Sequence, residues 1–362
     1  MKVCYVLSSL EHGGQYDTIA NLVSYSIGRW EARLVYATST GCDLPHGISV
    51  TYKASRSWIP TYDRALIKFF GESDVIHIKS GLPFLLPAFI SRRPAVYTLH
   101  QPDPVWLFEG RRKLGRRLVR LLERPPILNF AKVFVSVSDW VRDWYLHQLG
   151  VESEVIPDSF NLLAYGLTVR SRPRWSDPKL VAVGWDGPNG RKRTHELFPY
   201  LPRFFARFPH SSLSVIGLTP GAQLFLREYA EHLGISSHVY LHGHLTFQEY
   251  LGALRGADVF VSTTIVEGFY RPIIEAFSTG LPAVVRDASD LVDPVCQSAL
   301  MHLRRSQAGA SYSSASSFLR GVETVLREYD EMSLRAVRYS EGFSNDRILP
   351  RYLKVYSRAA SG

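Results

Sequence analysis

The sequence predicts an α/β protein made of two doubly wound domains, each with a parallel β-sheet between helices. Its 362 residues are too many for one domain of typical size. Short apolar runs alternate with helical segments and few hairpin turns occur between them, which favours parallel sheets. The alternation is interrupted once, by an irregular stretch near residues 161–179, and then starts again. These three observations together predict the fold class.

The apolar runs give the predicted strands of each domain. The first domain is predicted over residues 1–165, and its runs are MKVCYVLSSL, EARLVYAT, DVIHIK, PAVYTLH, AKVFVSVS and SEVIPDS. The second domain is predicted over residues 166–342, and its runs are KLVAVG, LSVIG, HVYLHG, ADVFVST and LPAVV. We find no internal repeat and no low-complexity tract.

The composition is that of an ordinary soluble globular protein, with 46% hydrophobic and 21% charged residues. No apolar run approaches the roughly 18 residues that a membrane-spanning helix needs. The three cysteines are too few and too scattered for a disulfide framework or a zinc cluster. We therefore expect a cytoplasmic protein.

The formal net charge of +9 is concentrated in residues 111–124, RRKLGRRLVRLLER, which hold seven basic residues and one acidic residue. Leucines recur there at helical spacing, which predicts a basic amphipathic helix. It is either an ordinary surface helix with a solvated basic face or a patch for anionic lipid or an acidic acceptor. No aromatic residues are interleaved with the charges, so nucleic acid is not expected as a partner. The residues proposed for the patch are Arg112, Lys113, Arg116, Arg117 and Arg120.

Loops that follow strands are where an open parallel sheet binds its ligands. The segment EGFYRPIIEAFSTGLPAVV, residues 267–285, follows the predicted strand ADVFVST. Glu267 is expected in the exit loop and Glu275 on the helix that begins near Pro272. An ionised carboxylate accepts hydrogen bonds from two vicinal hydroxyls, and a helix N-terminus offers N–H groups to phosphate. Two carboxylates on one loop-helix unit do not face each other across a substrate, which disfavours a glycosidase pair.

A second candidate loop lies in KLVAVGWDGPNGRKRTHEL, residues 179–197. A glycine-rich loop leaves the strand, three basic residues follow it from Arg191 to Arg193, and Thr194 is suited to cap the next helix. This pattern fits a diphosphate cradle made of positive charge and backbone N–H groups. The same pattern is also that of a solvated basic loop.

Two weaker candidates precede these in the chain. Gly13 and Gly14 follow the first predicted strand, and such a pair often marks only a tight turn. His100 ends the predicted strand PAVYTLH, and it is either a binding residue or an ordinary hydrogen-bonded histidine.

Taken together, these motifs resemble the signature of the family 4 retaining glycosyltransferases of GT-B fold. The resemblance rests on Glu-Gly-Phe, a stretch with proline, Glu-Ala, and then Gly and Pro, and it extends over nearly the whole chain. It implies two Rossmann-like domains facing a central cleft. It also implies that residues 343–362, which resemble the last helix of the family, cross back to the N-terminal domain.

The resemblance also implies roles for residues of the second domain. Glu267 would contact the donor sugar, Glu275 would bind the ribose hydroxyls, and the backbone at Phe269 and Tyr270 would lie at the pyrophosphate. Lys192 matches the lysine that holds the diphosphate. Trp185 stands where the family carries an arginine, so Arg191 or Arg193 would have to compensate.

In the first domain the resemblance gives Gly13 and Gly14 a place at the donor phosphates and gives His100 a contact with the transferred sugar. His100, Lys192 and Glu267 are the predicted catalytic residues. The chain departs from the family pattern at Asp158 and Ser159, which replace an asparagine and a glycine.

The predicted function is retaining transfer of a hexose-type sugar from a nucleotide-sugar to a hydroxyl of a glycan, a glycolipid or a small molecule. No cofactor is expected, and no metal, because no Asp-x-Asp motif occurs in the chain. An anionic membrane surface is a candidate partner through the basic segment, which would place the protein at the cytoplasmic face of a membrane. Two alternatives stay open: an epimerase or hydrolase that needs no acceptor, and a non-catalytic partner subunit that retains the fold.

Overall fold

The computed structural model describes residues 1–10, 14–39, 43–54, 63–80, 82–100, 130–171, 178–188, 190–292 and 296–361. The chain divides into two compact units. Unit 1 consists of Met1–Asn161 with Phe343–Gly362, and unit 2 consists of Leu162–Gly342. The sequence placed the first of these boundaries a few residues later, after residue 165.

Unit 1 contains a sheet of seven parallel strands within the described residues. The strands are β1 (Lys2–Leu10), β2 (Glu31–Ser39), β3 (Ile48–Lys53), β4 (Val75–Ile78), β5 (Ala95–Leu99), β6 (Val133–Ser136) and β7 (Glu154–Val155). Their order is β3-β2-β1-β4-β5-β6-β7. The order reverses between β1 and β4, and a doubly wound sheet binds its ligands beyond the carboxyl ends of the strands at such a point.

Unit 2 contains a sheet of six parallel strands among its described residues. The strands are β8 (Lys179–Val183), β9 (Ser212–Ile216), β10 (Val239–Leu241), β11 (Val259–Ser262), β12 (Ala283–Arg286) and β13 (Gly309–Tyr312). Their order, β10-β9-β8-β11-β12-β13, reverses between β8 and β11. The fold class predicted from the sequence, α/β with a doubly wound parallel sheet in each of two domains, is confirmed.

Helices alternate with the strands in both units. In chain order they are α1 (Gly14–Ser26), α2 (Arg64–Gly71), α3 (Leu85–Ile90), α4 (Asp139–Leu149), α5 (Leu162–Tyr165), α6 (Leu201–Arg207), α7 (Pro220–His232), α8 (Phe247–Gly256), α9 (Arg271–Ser278), α10 (Ser298–Ser306), α11 (Ala315–Arg327), α12 (Tyr329–Ser340) and α13 (Asn345–Ser361). Single 3₁₀ turns lie at Leu82–Phe84, Ser236–His238 and Glu341–Phe343, and a longer 3₁₀ helix spans Thr194–Tyr200.

The core of unit 1 includes the C-terminal helix α13, which packs against α1, β4 and β5. Tyr352 and Tyr356 of α13 are fully buried. The hydroxyl of Tyr356 hydrogen-bonds Nδ1 of the buried His77 at 2.7 Å, and its ring meets Trp30 edge-to-face with the centroids 5.9 Å apart. Burial of these aromatic rings stabilises the unit, and the bond to His77 satisfies the buried hydroxyl of Tyr356.

Arg170 joins the stretch predicted as a linker to the body of unit 2. Its guanidinium donates to three backbone carbonyls at the C-terminal ends of α8 and α9, those of Leu254 at 2.9 Å, Ala257 at 2.6 Å and Thr279 at 2.6 Å. Helix ends leave such carbonyls without intrahelical partners. One arginine therefore caps two helices and fixes the segment that leads into β8.

Two strands were not predicted from the sequence. β3 has no continuous apolar run because it lies at the edge of its sheet, with all six of its residues exposed or half-buried. β13 has the small-residue sequence GASY. A Cβ atom at its Gly309 would lie 1.8 Å from the carbonyl oxygen of Ala283, so close strand pairing excludes a larger residue there.

Candidate active site

Two loops of unit 2 flank the point where the strand order reverses, one after β8 and one after β11. They are joined by hydrogen bonds: the amide of Ile265 donates to the carbonyl of Arg191 at 3.0 Å. Thr194 donates to the carbonyl of Gly184 at 2.6 Å and lies 3.4 Å from the hydroxyl of Thr263. The two loops that the sequence singled out are thus held together at the carboxyl edge of this sheet.

The loop after β8 is shaped by one carboxylate. Asp186 accepts hydrogen bonds from the backbone amides of Arg191 at 2.9 Å and Lys192 at 2.8 Å. A Cβ atom at Gly190 would lie 2.1 Å from Oδ1 of Asp186, so only glycine leaves room for that carboxylate. The aspartate therefore turns the chain so that both basic residues follow the turn directly.

Lys192 lies across the end of β8. A Cβ atom at Gly184 would meet Cδ of Lys192 at 2.7 Å and Nζ at 2.8 Å, and Gly184 itself has a φ of +80°. The positive φ favours glycine at this position, and the absence of a Cβ atom lets the Lys192 side chain lie against the backbone. Lys192 is half-buried and makes no ion pair within the described residues, so its ammonium group is available to an anionic ligand.

Arg191 and Glu267 bring the two loops into direct contact. Nη1 of Arg191 lies 3.4 Å from Oε2 of Glu267, and its Nε lies 3.6 Å from Asp186. The side chain of Glu267 is only 13% exposed. Its amide donates to the carbonyl of Cys296 at 3.2 Å, which anchors the loop. Three of the predicted site residues, Arg191, Lys192 and Glu267, thus occupy one edge of the sheet.

Glu275 lies on α9 and is 8% exposed. Its Oε2 accepts a hydrogen bond of 2.7 Å from the hydroxyl of Tyr250 on α8, and its Oε1 lies 3.6 Å from Nε of Arg271. Burial first and the Glu275 charge second raise the pKa of Tyr250 well above its ordinary value, so this hydroxyl stays a donor. Tyr250 and Arg271 together fix the orientation of the Glu275 carboxylate.

Phe269 and Tyr270 lie between these two glutamates. Tyr270 is buried, and its amide donates to the hydroxyl of Ser298 at 3.0 Å. Phe269 meets the ring of His302 edge-to-face with the centroids 4.9 Å apart. Both side chains pack the loop in place, and the amide of Tyr270 is already hydrogen-bonded.

Trp185 stands where the family resemblance leads one to expect an arginine. Its indole stacks on Phe225 of α7, with the centroids 4.9 Å apart and the planes at 15°. Its Nε1 donates to Nδ1 of His195 at 3.0 Å. Trp185 therefore packs the loop against α7, and the positive charge of this edge comes from Arg191 and Lys192.

The carboxyl edge of the unit 1 sheet carries the remaining predicted residues. Gly14 begins α1, and His100 directly follows β5. Burial first and the neighbouring Lys79 charge second lower the pKa of His100 to about 3, so the ring is neutral near pH 7. Gly13 lies outside the described residues, as does the basic segment with Arg112, Lys113, Arg116, Arg117 and Arg120.

A buried ion pair lies at the same edge of unit 1. Lys79 directly follows β4, and its Nζ lies 3.1 Å from Oδ1 of Asp158, with side-chain exposures of 0% and 7%. The same Oδ1 accepts a hydrogen bond of 3.0 Å from Thr18 on α1. Asp158, which replaces the asparagine of the family pattern, is thus the ion-pair partner of a buried lysine.

Sequence reasoning missed Lys79, Tyr250 and Asp186. Lys79 ends the apolar run DVIHIK, and a cation at a strand exit was the available signal. Asp186 stands between two glycines in GWDG, a turn signal that was not connected to the basic residues after it. Tyr250 lies on a different helix from Glu275, and no local pattern connects the two.

The arrangement in unit 2 is suited to a ligand that carries both phosphate and hydroxyl groups. Lys192 and Arg191 supply positive charge for an anion. Glu267 and Glu275 supply acceptors for hydroxyl groups. Within the described ranges, no three histidine, cysteine or acidic side chains form a group that could hold a metal ion.

Both halves of the chain match models of glycosyltransferase families. Residues 28–162 match the model Glycosyltransferase Family 4, and residues 177–311 match the model Glycosyl transferases group 1. Together the two matches cover most of the chain, and they meet near the boundary between the units.

The chain is also similar to curated proteins named phosphatidyl-myo-inositol mannosyltransferase. The protein of Mycobacterium tuberculosis (strain H37Rv) is 29% identical over 228 residues, which are 60% of this chain and 55% of that protein. The protein of Mycolicibacterium smegmatis is 28% identical over 156 residues, 42% of this chain and 39% of that protein. The chain thus spans about half the length, or less, of the curated relatives it matches.

Solved structures share the fold at low sequence identity. Anabaena Alr3699/HepE, crystallised with UDP-glucose, superposes with a TM-score of 0.75 at 17% identity, covering 99% of this chain and 100% of that one. A glycosyltransferase from Rickettsia africae has a TM-score of 0.76 at 15% identity, covering 99% and 98%. Among the described residues we find no helix with the length and apolar character needed to cross a bilayer.

Proposed function

Since the chain belongs to the family 4-like glycosyltransferases of GT-B fold, we propose that it transfers a hexose-type sugar from a nucleotide-sugar donor to a hydroxyl group, with retention at the anomeric carbon. The observation that carries this proposal is the group formed by Lys192, Arg191 and Glu267 where the strand order of unit 2 reverses. Two cations and a carboxylate at that point suit a sugar diphosphate. No metal ion takes part in the proposed reaction.

In the proposed reaction the bond between the anomeric carbon and the diphosphate oxygen breaks, and the acceptor oxygen bonds to the same face of that carbon. The acceptor proton passes to the leaving diphosphate. Lys192 and Arg191 stabilise the negative charge that develops on this group. Glu267 binds the donor sugar and Glu275 the ribose hydroxyls. Gly14 and His100 of unit 1 keep the roles that the resemblance implies for them, at the donor phosphates and at the transferred sugar.

We propose a lipid-linked acceptor among the alternatives of glycan, glycolipid and small molecule. The support is the similarity to proteins named phosphatidyl-myo-inositol mannosyltransferase, a name that contains a lipid. The basic segment around Arg116 and Arg120 would meet the anionic headgroups of such a membrane, each charge contributing about 1 kcal/mol. This would place the enzyme at the cytoplasmic face of a membrane. Liposome binding of Arg116→Glu/Arg120→Glu, compared with the unchanged protein, tests this part alone.

A thermal-shift panel of UDP-, GDP- and ADP-sugars tests the donor. A ligand at 100 times its dissociation constant stabilises the folded state by about 2.7 kcal/mol, which raises the melting temperature. We expect one donor class to do so, and we expect Glu275→Ala to lose the shift. If no nucleotide-sugar shifts the melting temperature, the chain is a non-catalytic subunit. If a donor is consumed without any acceptor, it is a hydrolase or an epimerase.

A further inference from the structure

Burial of the Lys79–Asp158 ion pair in unit 1 carries a large desolvation free energy. Removing two charges from water costs several kcal/mol for each ion, and a buried pair often stabilises a fold no better than apolar residues would. Nζ of Lys79 and Oδ1 of Asp158 nevertheless lie 3.1 Å apart with almost no exposure. Since stability alone does not explain the pair, its position in the fold indicates its role.

Three segments that form the carboxyl edge of unit 1 meet at this pair. Lys79 follows β4, Asp158 follows β7, and Thr18 of α1 donates to Asp158 at 3.0 Å. The amide of Lys79 also donates to the carbonyl of Val6 on β1 at 3.1 Å. The pair therefore fixes the segments around the point where the strand order reverses, including the helix that begins at Gly14.

His100 is held by the same segment. The backbone carbonyl of Lys79 hydrogen-bonds the imidazole ring. Nε2 of His100 is buried and has no hydrogen-bond partner within the described part of the chain, so the bonded nitrogen is Nδ1. A carbonyl only accepts, and Nδ1 must therefore carry the ring proton while Nε2 keeps a lone pair. A buried nitrogen with a lone pair and no donor among the described residues is suited to accept a hydrogen bond from a bound hydroxyl group.

The charges that face His100 favour this neutral ring. The positive charge of Lys79 opposes protonation of the imidazole. Asp158 favours protonation, but with a smaller effect. His77 is another titratable neighbour among the described residues, and it is neutral. Burial lowers its pKa well below its ordinary value, and its two ring nitrogens are bonded to Tyr356 and Thr98.

We propose that the Lys79–Asp158 pair positions His100, holding its ring as the neutral tautomer whose Nε2 accepts a hydrogen bond from a hydroxyl group of the bound sugar. The second half of this inference rests on the proposed function, because it takes the ligand to be a sugar. Lys79 and Asp158 are positioning residues, and only His100 touches the ligand. A histidine with an ordinary pKa would be protonated in part of the molecules, and the protonated ring donates from both nitrogens. The neutral ring of His100 instead accepts at Nε2, so the hydroxyl group that binds there must be the donor.

Long-range ¹⁵N–¹H spectra of the histidine rings in the full-length protein, without ligand, test the positioning. His100→Gln assigns the signal. We expect the Nδ1-protonated tautomer, with no titration between about pH 7 and pH 5. Lys79→Met should raise the midpoint of His100 by at least about one pH unit, because removing a nearby charge changes a pKa by that order. Asp158→Asn should not raise it.

Arg33→Met is the matched control, since it removes another buried cation of unit 1, one that is 2.8 Å from Glu72, and should leave the His100 signal unchanged. If Lys79→Met does not fold, Lys79→Met/Asp158→Asn replaces it, and the midpoint should still rise because the lysine effect is the larger. A protonated Nε2 in the unchanged protein would overturn the proposal, and so would a folded lysine variant with an unchanged His100 signal.

The sugar contact is tested separately by adding the donor that the thermal-shift panel identifies. We expect the Nε2 resonance of His100 to shift when the donor binds and to stay in place with the nucleoside diphosphate alone. If the tautomer is as expected but no donor binds, the proposed function fails and the positioning stands. If the donor binds and Nε2 does not respond, the sugar contact is wrong.

Discussion

Both sheets place a lysine just beyond a strand at the carboxyl edge, and the two lysines stand in different surroundings. Lys79 of unit 1 is fully buried, 3.1 Å from Asp158. Lys192 of unit 2 is half-buried, lies over Gly184 and has no ion-pair partner among the described residues. The difference teaches that charge at a sheet edge serves two purposes. A paired, desolvated lysine orders its neighbours, whereas a solvated lysine keeps its charge for a ligand.

The largest expected effect is a difference in stability between variants of the two sheet edges. Lys79→Met leaves Asp158 charged and buried, and the free energy of unfolding should fall by about 3–5 kcal/mol. Arg191→Met breaks a pair whose arginine is 35% exposed, and it should cost less than about 1 kcal/mol. Urea denaturation of the two variants measures both values. If both variants lose a similar free energy of unfolding, then the Lys79–Asp158 pair does not differ from the Arg191–Glu267 pair in its contribution to stability, and the proposed difference between the two edges is wrong.

The next effect is on catalysis and concerns unit 2. Lys192→Gln removes a charge that stabilises the leaving diphosphate, and kcat should fall by about 100-fold or more. Stability should change by less than about 0.5 kcal/mol, because no buried pair is broken. Arg207→Gln is the control, since Arg207 forms an exposed pair with Glu323 in the same unit. A fall in kcat of less than about threefold would show that Lys192 does not stabilise the leaving group.

The unit 2 side of this comparison could be predicted from the sequence, because its site residues lie on consecutive elements of the chain. In unit 2 the strand ADVFVST, the loop with Glu267 and the helix with Glu275 are consecutive, and glycines mark the turn before Lys192. Periodicity and turn residues were enough to predict these elements. The edge strand β3 was missed because its exposed residues give no apolar run, and β13 because small residues give no β signal.

The buried edge of unit 1 depends on contacts that no local pattern contains. Lys79 and Asp158 are far apart in the chain, and each looks like an ordinary loop residue until the strand order brings β4 and β7 into one sheet. Tyr250 and Glu275 meet for the same reason, through the packing of two helices. The residues that would touch a ligand were therefore predictable from motifs, and the residues that orient them were not.

A smaller effect tests whether unit 2 also orders its site through a buried partner. Tyr250→Phe removes the 2.7 Å hydrogen bond to Glu275 and leaves the rest of the ring in place. A hydrogen bond to a charged group contributes about 1.5–3 kcal/mol, so the KM for the donor should rise by about tenfold or more. Tyr240→Phe, at an exposed position, should leave KM unchanged. An unchanged KM in Tyr250→Phe would mean that Arg271 alone orients the carboxylate.

The last effect concerns acid. Burial lowers the pKa of His100 and of His302 to about 3 from an ordinary 6.5, so both stay neutral in the folded protein while the unfolded chain takes up protons. Stability is therefore full above pH 6.5 and is lost as the pH falls toward 3, at about 1.4 kcal/mol per pH unit for each such histidine. Among the described residues, unit 1 holds two such histidines, His100 and His77, and unit 2 holds His302 together with the half-buried His195.

Replacing one buried histidine should therefore flatten the pH dependence by about one proton. His302→Leu costs stability at pH 7 because Tyr339 loses its 2.9 Å hydrogen bond. Its free energy of unfolding should nevertheless fall less steeply between pH 6.5 and pH 5 than that of the unchanged protein. Denaturation curves across this range give the slope. An unchanged slope would mean that His302 already binds its proton in the folded state, and the contrast between a neutral buried edge and a charged solvated edge would then rest on Lys79 and Lys192 alone.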